Sequence, residues 1–169
     1  VDQNLHNRYK CRIREPWYSV PSVYSTPLCM LKRSDGVPRL IINRLNALTT
    51  DTAYRIKVLN EHVDKTLLAY SFINSLTALS AELEGRHYGG GVLELVPSEI
   101  ERLFVPFSND IIPKIDCLNQ SVKNGYIEDT LQEQDRAILT AIGLHNRDVI
   151  IIHEAWNRLK KRRQRISAD

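Results

Sequence analysis

The stretch EGRHYGGGVLEL, residues 84–95, sets three consecutive glycines between a helix-like run and a strand-like run. Without Cβ atoms, Gly89, Gly90 and Gly91 make a backbone that something can approach closely. Order along the chain discriminates among partners. A dinucleotide fingerprint follows a strand and opens a helix, whereas this sequence predicts a helix before the glycines and a strand after them. A phosphate-cradling Walker loop continues into Gly-Lys-Ser/Thr, but Gly91 continues into Val92-Leu93-Glu94. A cofactor at Gly89–Gly91 is therefore disfavoured. The partners left are a nucleic acid, passing where no side chain intervenes, or a neighbouring piece of the same protein.

Outward from the glycines, Leu68, Phe72, Leu76, Leu79 and Leu83 recur at helical spacing, predicting one long helix capped by Asp64 and stopped by Gly85. After them, GVLELV predicts a strand, and Ser98 with Glu101 reads as a capping box for a short helix. Upstream, LCMLKR and VPRLIIN read as two strands around Asp35-Gly36, with Gly36 in a positive-φ turn conformation, and Ala53–Leu59 as another strand. Downstream, TLQEQDRAILTAIG is helical, and a final helix capped by Asn146 places Val149, Ile152, Trp156 and Leu159 on one side. The expected fold is α+β, with a β-rich region over 1–106 containing one long helix, followed by a helical segment over 107–169 packed on it.

Charge is modest overall, +3 across 169 residues, but unevenly distributed. Residues 1–44 hold eight Lys/Arg against three Asp/Glu, residues 45–106 hold five against eight, and six cations crowd into RLKKRRQR at 158–165. The segment RYKCRIR alternates Tyr9, Cys11 and Ile13 with Arg8, Lys10, Arg12 and Arg14. That period predicts a half-buried strand whose outer side carries four cations, which repel unless an anion lies across them. Trp17-Tyr18 follows among prolines, as a base-stacking platform or as loop packing. His87-Tyr88 reads as an acid–base pair or, more plainly, as a hydrogen-bonding surface. Basic patches framing an acidic middle are how phosphate contacts commonly present themselves, and also how a solvated surface looks.

Other chemistries lack their residues. CxxC, HExxH and GxSxG are absent, and no Asp or Glu stands two residues before a Lys, the usual carboxylate–lysine core of metal-dependent nucleases. No catalytic, cofactor or metal residue is assigned. No apolar run reaches the roughly 18 residues of a membrane helix, so no membrane partner is expected. Cys11, Cys29 and Cys117 are odd in number and widely spaced, which fits a reducing cytoplasm. The chain begins at Val1 inside a polar run and reads as a piece of something longer.

The succession RYKCRIREPWYSVP, RLIINRLNALTT and LLAYSFINSLTALSAELEGRHYGGGVLELVPSEIERLFVP resembles the C-terminal target-recognition region of adenine-N6 DNA methyltransferases. The branch is the gamma-type enzymes of bacterial restriction–modification systems, with a specificity domain of the TaqI type. The likeness runs from about Arg8 to Pro106. It implies a domain that grips double-stranded DNA and selects the sequence. A separate N-terminal domain of the same polypeptide would bind S-adenosylmethionine and methylate a flipped adenine. The family's Asn/Asp-Pro-Pro-Tyr/Phe motif is missing, since no two of the seven prolines are adjacent, and His87 stands where the Phe of its Phe-x-Gly-x-Gly loop would be. Both motifs are expected upstream, which leaves this chain without cofactor and catalytically silent alone.

On this reading the DNA-facing residues are Arg12, Arg14, Trp17, Tyr18, Lys32, Arg33, Arg39, Asn43, Arg44, Asn74, Arg86, His87, Tyr88, Gly89, Gly90 and Gly91. Lys/Arg would hold phosphates, and Asn43 and Asn74 would offer amides to bases or backbone. Two alternatives stay open: the specificity domain of a fused restriction–modification enzyme, or a protein-interaction domain with no DNA role.

Overall fold

The computed structural model describes residues 3–21 and 23–165. A 3-10 turn, Leu5–Asn7, and helix α1, Tyr9–Arg12, lead into six short strands: β1 Tyr24–Ser25, β2 Leu28–Leu31, β3 Arg33–Ser34, β4 Leu40–Ile42, β5 Leu48–Thr49 and β6 Ala53–Arg55. Helices α2, Lys65–Ser71, and α3, Ser75–Glu84, precede a hairpin of β7, Arg86–Tyr88, and β8, Val92–Glu94. Four helices complete the chain: α4 Pro97–Ile100, α5 Ile115–Lys123, α6 Ile127–Ile138 and α7 Asn146–Gln164. The fold is α+β, as expected, and ends in a helix. No helix among the described residues is long and apolar enough to cross a membrane.

The strands form small antiparallel sheets, ordered β4-β2-β6 and β3-β8-β7, with β1 paired to β5. Met30, opposite Leu40 and Tyr54, is fully buried. Lys32 joins the two larger sheets: its N–H donates to Thr52 and its carbonyl accepts from Leu95. One core cluster packs Met30, Phe72, Ala81, Leu93 and Leu95 together. The other draws Val37, Tyr70, Ile73 and Ala78 from before residue 106, and Ile111, Leu131, Ile138 and Trp156 from after it.

Several expectations are corrected. RYKCRIR is not a strand: its Tyr9–Arg12 form helix α1, with Arg12 5.7 Å from the Tyr9 ring centroid. Its alternation marked no buried side, since Tyr9 and Ile13 are 69% and 67% exposed, and an unpaired strand would leave its backbone without partners. The predicted long helix is two helices. Asp64 caps the first as expected, accepting from Leu67 N–H at 2.8 Å. The break comes at Asn74, whose Oδ1 accepts from Thr77 N–H at 2.9 Å to cap the second. A short amide side chain competes with the helical backbone, so asparagine is better placed at a cap than in an interior. Breaking the helix resets its phase. Leu83 is left exposed, and Ser75, Thr77, Ala78 and Ala81 become the buried side of α3.

Gly85 does end α3, but not through a left-handed cap, for its φ is −80°. A Cβ there would lie 2.7 Å from the Ala81 carbonyl and from Leu93 Cδ1, so the position needs an absent side chain. Gly36 lies outside the positive-φ region, because β2 and β4 are joined by a long connection that includes β3 rather than by a tight turn. The strand expected over Ala53–Leu59 stops at Arg55. The cap of α4 moves from Ser98 and Glu101 to Val96 and Glu99: Pro97 takes the first helical position, and Glu99 accepts from Val96 N–H at 2.8 Å. The cap of α7 is His145, one residue before Asn146.

Asn74 also donates to the Ser71 carbonyl at 2.7 Å and to Thr77 Oγ1 at 2.9 Å, and it is fully buried. Asn74→Ala removes the cap and strands those partners, so urea denaturation is expected to show a loss of about 2 kcal/mol. A loss below about 0.5 kcal/mol would refute the capping role.

Candidate nucleic-acid interface

The glycines are the tip of a hairpin. Strand β7 was not anticipated, and it changes the local order from helix–glycines–strand to strand–glycines–strand, with Tyr88 opposite Val92. Gly90 and Gly91 have φ of +80° and +77°, the left-handed region that closes a tight hairpin and that glycine occupies without strain. Gly89 and Gly90 are exposed, and a Cβ on either would meet nothing within 4 Å. Gly91 is buried, and its Cβ would stand 3.1 Å from Gln164 Cγ. The neighbour that approaches Gly91 is thus the chain's own C-terminal helix.

Register builds the surface beside the hairpin. Glu94 pairs across the sheet with Arg33 on one side and Arg86 on the other. Arg33 Nε donates to Glu94 Oε2 at 3.0 Å, and Arg86 Nε donates to Glu99 Oε1 at 2.8 Å. The carboxylates lie underneath, their side chains 14% and 8% exposed, while the two arginine side chains are 67% and 57% exposed. Each guanidinium is oriented through Nε on a side chain that stays more than half exposed, a fork suited to phosphate or a base edge. Tyr88, half exposed, has the Arg33 guanidinium 5.8 Å from its ring centroid, and Lys32 Nζ lies 5.2 Å from the Tyr54 ring.

The same arrangement biases ionisation. The Val96 N–H, with Arg86 and Arg102 adding to it against the cost of burial, holds the Glu99 carboxyl below the ordinary glutamate range. Burial, then the nearby charges of Glu94 and Glu99, pushes the Tyr54 hydroxyl up against the opposing charge of Arg86.

A buried ion pair fixes the hairpin from behind. Arg163 on α7 is fully buried and bonds both carboxylate oxygens of Glu82 on α3, its Nε to Oε2 at 2.9 Å and its Nη2 to Oε1 at 2.8 Å. Its Nη1 donates to the Gly91 carbonyl and its Nη2 to the Asp35 carbonyl at 3.2 Å. Gln164 Nε2 reaches the same Asp35 carbonyl at 2.8 Å.

The remaining expected residues divide. Arg12 and Tyr18 are exposed in the N-terminal segment, Trp17 packs edge-on against His6 and Tyr18, and Arg14 donates to the Ser19 carbonyl at 3.1 Å. Arg39 is exposed. Arg44 forms a surface pair with Asp116 at 3.0 Å. Other side chains are committed internally. Asn74 caps α3 from a fully buried position, so it presents no amide to a partner. Asn43 spends its amide on Thr26 and Ala47 carbonyls and its oxygen on Ala47 N–H, pinning a loop. His87 turns back toward Glu82, 3.5 Å from its carboxylate and 3.2 Å from its carbonyl, and forms no acid–base pair with Tyr88. Sequence reasoning missed Tyr54, Glu94, Glu99 and Arg163. Cross-strand register or helix docking brings each to its place, and neither can be read from spacing.

A second polar cluster joins three helices. Ser75 donates to Asp135 at 2.6 Å and lies 2.8 Å from His153 Nδ1, while its N–H donates to the same carboxylate at 2.7 Å. The residue types match a hydrolytic triad, but the wiring does not: the serine hydroxyl, fully buried, sits between the acid and the histidine. Its role is to tie α3, α6 and α7.

Two measurements check this geometry. Arg163→Met leaves Glu82 buried without its arginine and is expected to cost about 3–5 kcal/mol in urea unfolding, most of it recovered in Arg163→Met/Glu82→Leu. No recovery in the double variant would contradict the buried-charge account. Because folding lowers the pKa of Glu99, its contribution is present above the unfolded glutamate value of about 4.3 and lost as pH falls from there through the lower folded value. Glu99→Gln should lower stability at neutral pH and flatten that acid limb, and an unaltered limb would contradict the assignment.

Residues 1–139 match the family described as type II methyltransferase M.Eco57I, C-terminal domain. No curated protein and no solved structure shows significant similarity to the chain. The match takes in both larger sheets, the glycine hairpin and the arginine row, and it ends within the helical region. The chain therefore belongs to the M.Eco57I C-terminal domain family of type II methyltransferases.

Proposed function

We propose that this domain reads a specific double-stranded DNA sequence for an adenine-N6 methyltransferase of a bacterial, cytoplasmic restriction–modification system. S-adenosylmethionine binding and methyl transfer belong to an N-terminal domain of the same polypeptide, and the target adenine is flipped into that domain. The observation that carries the reading is the row Arg33–Glu94–Arg86 beside Tyr88 and the open glycine tip. It offers oriented guanidinium forks, an exposed ring and a backbone that DNA can approach at Gly89 and Gly90. Such forks match the two acceptors on a guanine edge, and the cations Arg12, Arg14, Lys32 and Arg39, none of them in an ion pair among the described residues, match phosphates. Trp17 and Tyr18 offer apolar rings at the same N-terminal segment, and Arg44 can exchange Asp116 for a phosphate at little cost, since an exposed pair is weak.

Selection from a pool of random duplexes, followed by sequencing of the bound fraction, tests the reading. One enriched motif is expected, and none would overturn it. Arg33→Gln and Arg86→Gln should each relax preference at a motif position by about tenfold. Arg12→Gln and Arg14→Gln should leave the motif unchanged and reduce the salt dependence of binding by about one unit per lost contact.

A further inference from the structure

Helix α7 lies beyond the family match, and its last turn sits against the hairpin. Arg163 faces inward to Glu82 and Gly91, and Lys160 leans back, its Nζ 4.9 Å from the Trp156 ring centroid and 3.5 Å from Glu128. The opposite side of the helix carries Arg158, Lys161 and Arg162 at i, i+3 and i+4, and Arg165 follows just past the helix end in a left-handed conformation, all four exposed. None of the four lies within ion-pair distance of a carboxylate among the described residues, although Glu154 is one turn before Arg158 on the same side.

Cations at a helix C-terminus are favoured by its dipole, but that effect fades beyond the last turn, and neighbours three and four apart repel. The stripe is longer than the dipole accounts for. From Arg158 to its end at Gln164 the helix rises about 9 Å. That matches roughly three steps of a DNA strand at about 3.4 Å each. Its position is set by the contacts that hold the hairpin, because Arg163 and Gln164 bind the Gly91 and Asp35 backbone. The stripe and the arginine row are therefore parts of one body.

We infer that Arg158, Lys161, Arg162 and Arg165 form a second phosphate-contacting ridge for duplex DNA, flanking the hairpin that reads the sequence. The inference rests on the proposal that the domain binds duplex DNA. It adds an electrostatic grip, indifferent to sequence, on an element outside the matched family.

Fluorescence anisotropy of the protein with a short mixed-sequence duplex, across a series of KCl concentrations, tests it. In Arg158→Gln/Lys161→Gln/Arg162→Gln, the slope of log affinity against log salt should become shallower by about 2–3 units. The thermal midpoint should stay put, since these side chains are exposed. Single Gln variants, each expected to remove about one unit, keep the test readable if the triple variant folds poorly. Salt-dependent binding by the wild type with an unchanged slope in the variants overturns the ridge and leaves the DNA-reading proposal standing. Failure of the wild type to bind duplex at all removes both. Variants that lose affinity for polyglutamate yet keep the wild-type slope on duplex would overturn DNA as the ridge's occupant and assign it to an acidic protein partner.

Discussion

The bidentate pair between Arg163 and Glu82 holds together what the sequence sets furthest apart. It joins the last turn of α7 to the last turn of α3 and, through the Gly91 and Asp35 carbonyls, to the hairpin and the loop after β3. A buried ion pair is costly to desolvate and is retained only when its geometry and remaining hydrogen bonds are complete. Here the guanidinium serves two carboxylate oxygens and two backbone carbonyls, so every element it touches is held to one arrangement. Small residues along α3 let α7 approach, and Trp156 fills the space between α7 and its neighbours.

From that constraint the candidate interface follows. With the hairpin fixed, Glu94 and Glu99 lie beneath Arg33 and Arg86, respectively, and orient them while leaving both side chains more than half exposed. Paired carboxylates reduce the net charge of the surface, but they replace mobile cations by guanidinium groups of defined direction, and direction is what base recognition requires. The exposed cations outside ion pairs among the described residues, Arg12 in the N-terminal segment and Arg158, Lys161 and Arg162 on the outer side of α7, have the opposite character, suited to phosphates of any sequence.

Much of this was legible in the chain. Leucine spacing, Asp64 and Gly85 located a helical region, and the apolar runs LCMLKR and VPRLIIN on either side of Asp35-Gly36 located paired strands. The resemblance pointed to the family that the comparison then showed. Errors fell where local pattern was ambiguous. RYKCRIR has a period of two but no buried side, and Asn74 sits in a helical run yet caps a new helix. Strand β7 was hidden because three polar residues, all exposed, carry no hydrophobic signal. Arg163 was indistinguishable from its cationic neighbours, since only docking decides which of several arginines on a helix turns inward.

By itself the sequence determined the class of elements, the family and the kind of residue offered to a partner, because periodicity, caps and composition are local properties. The tertiary structure decided which of those residues remain available. Asn43, Asn74, His87 and Gly91 are spent on the fold, while Arg33, Arg86, Tyr88 and the tip at Gly89 and Gly90 stay open. That division depends on strand register and on the packing of α7 against α3, interactions between residues distant in sequence whose partners no local pattern names.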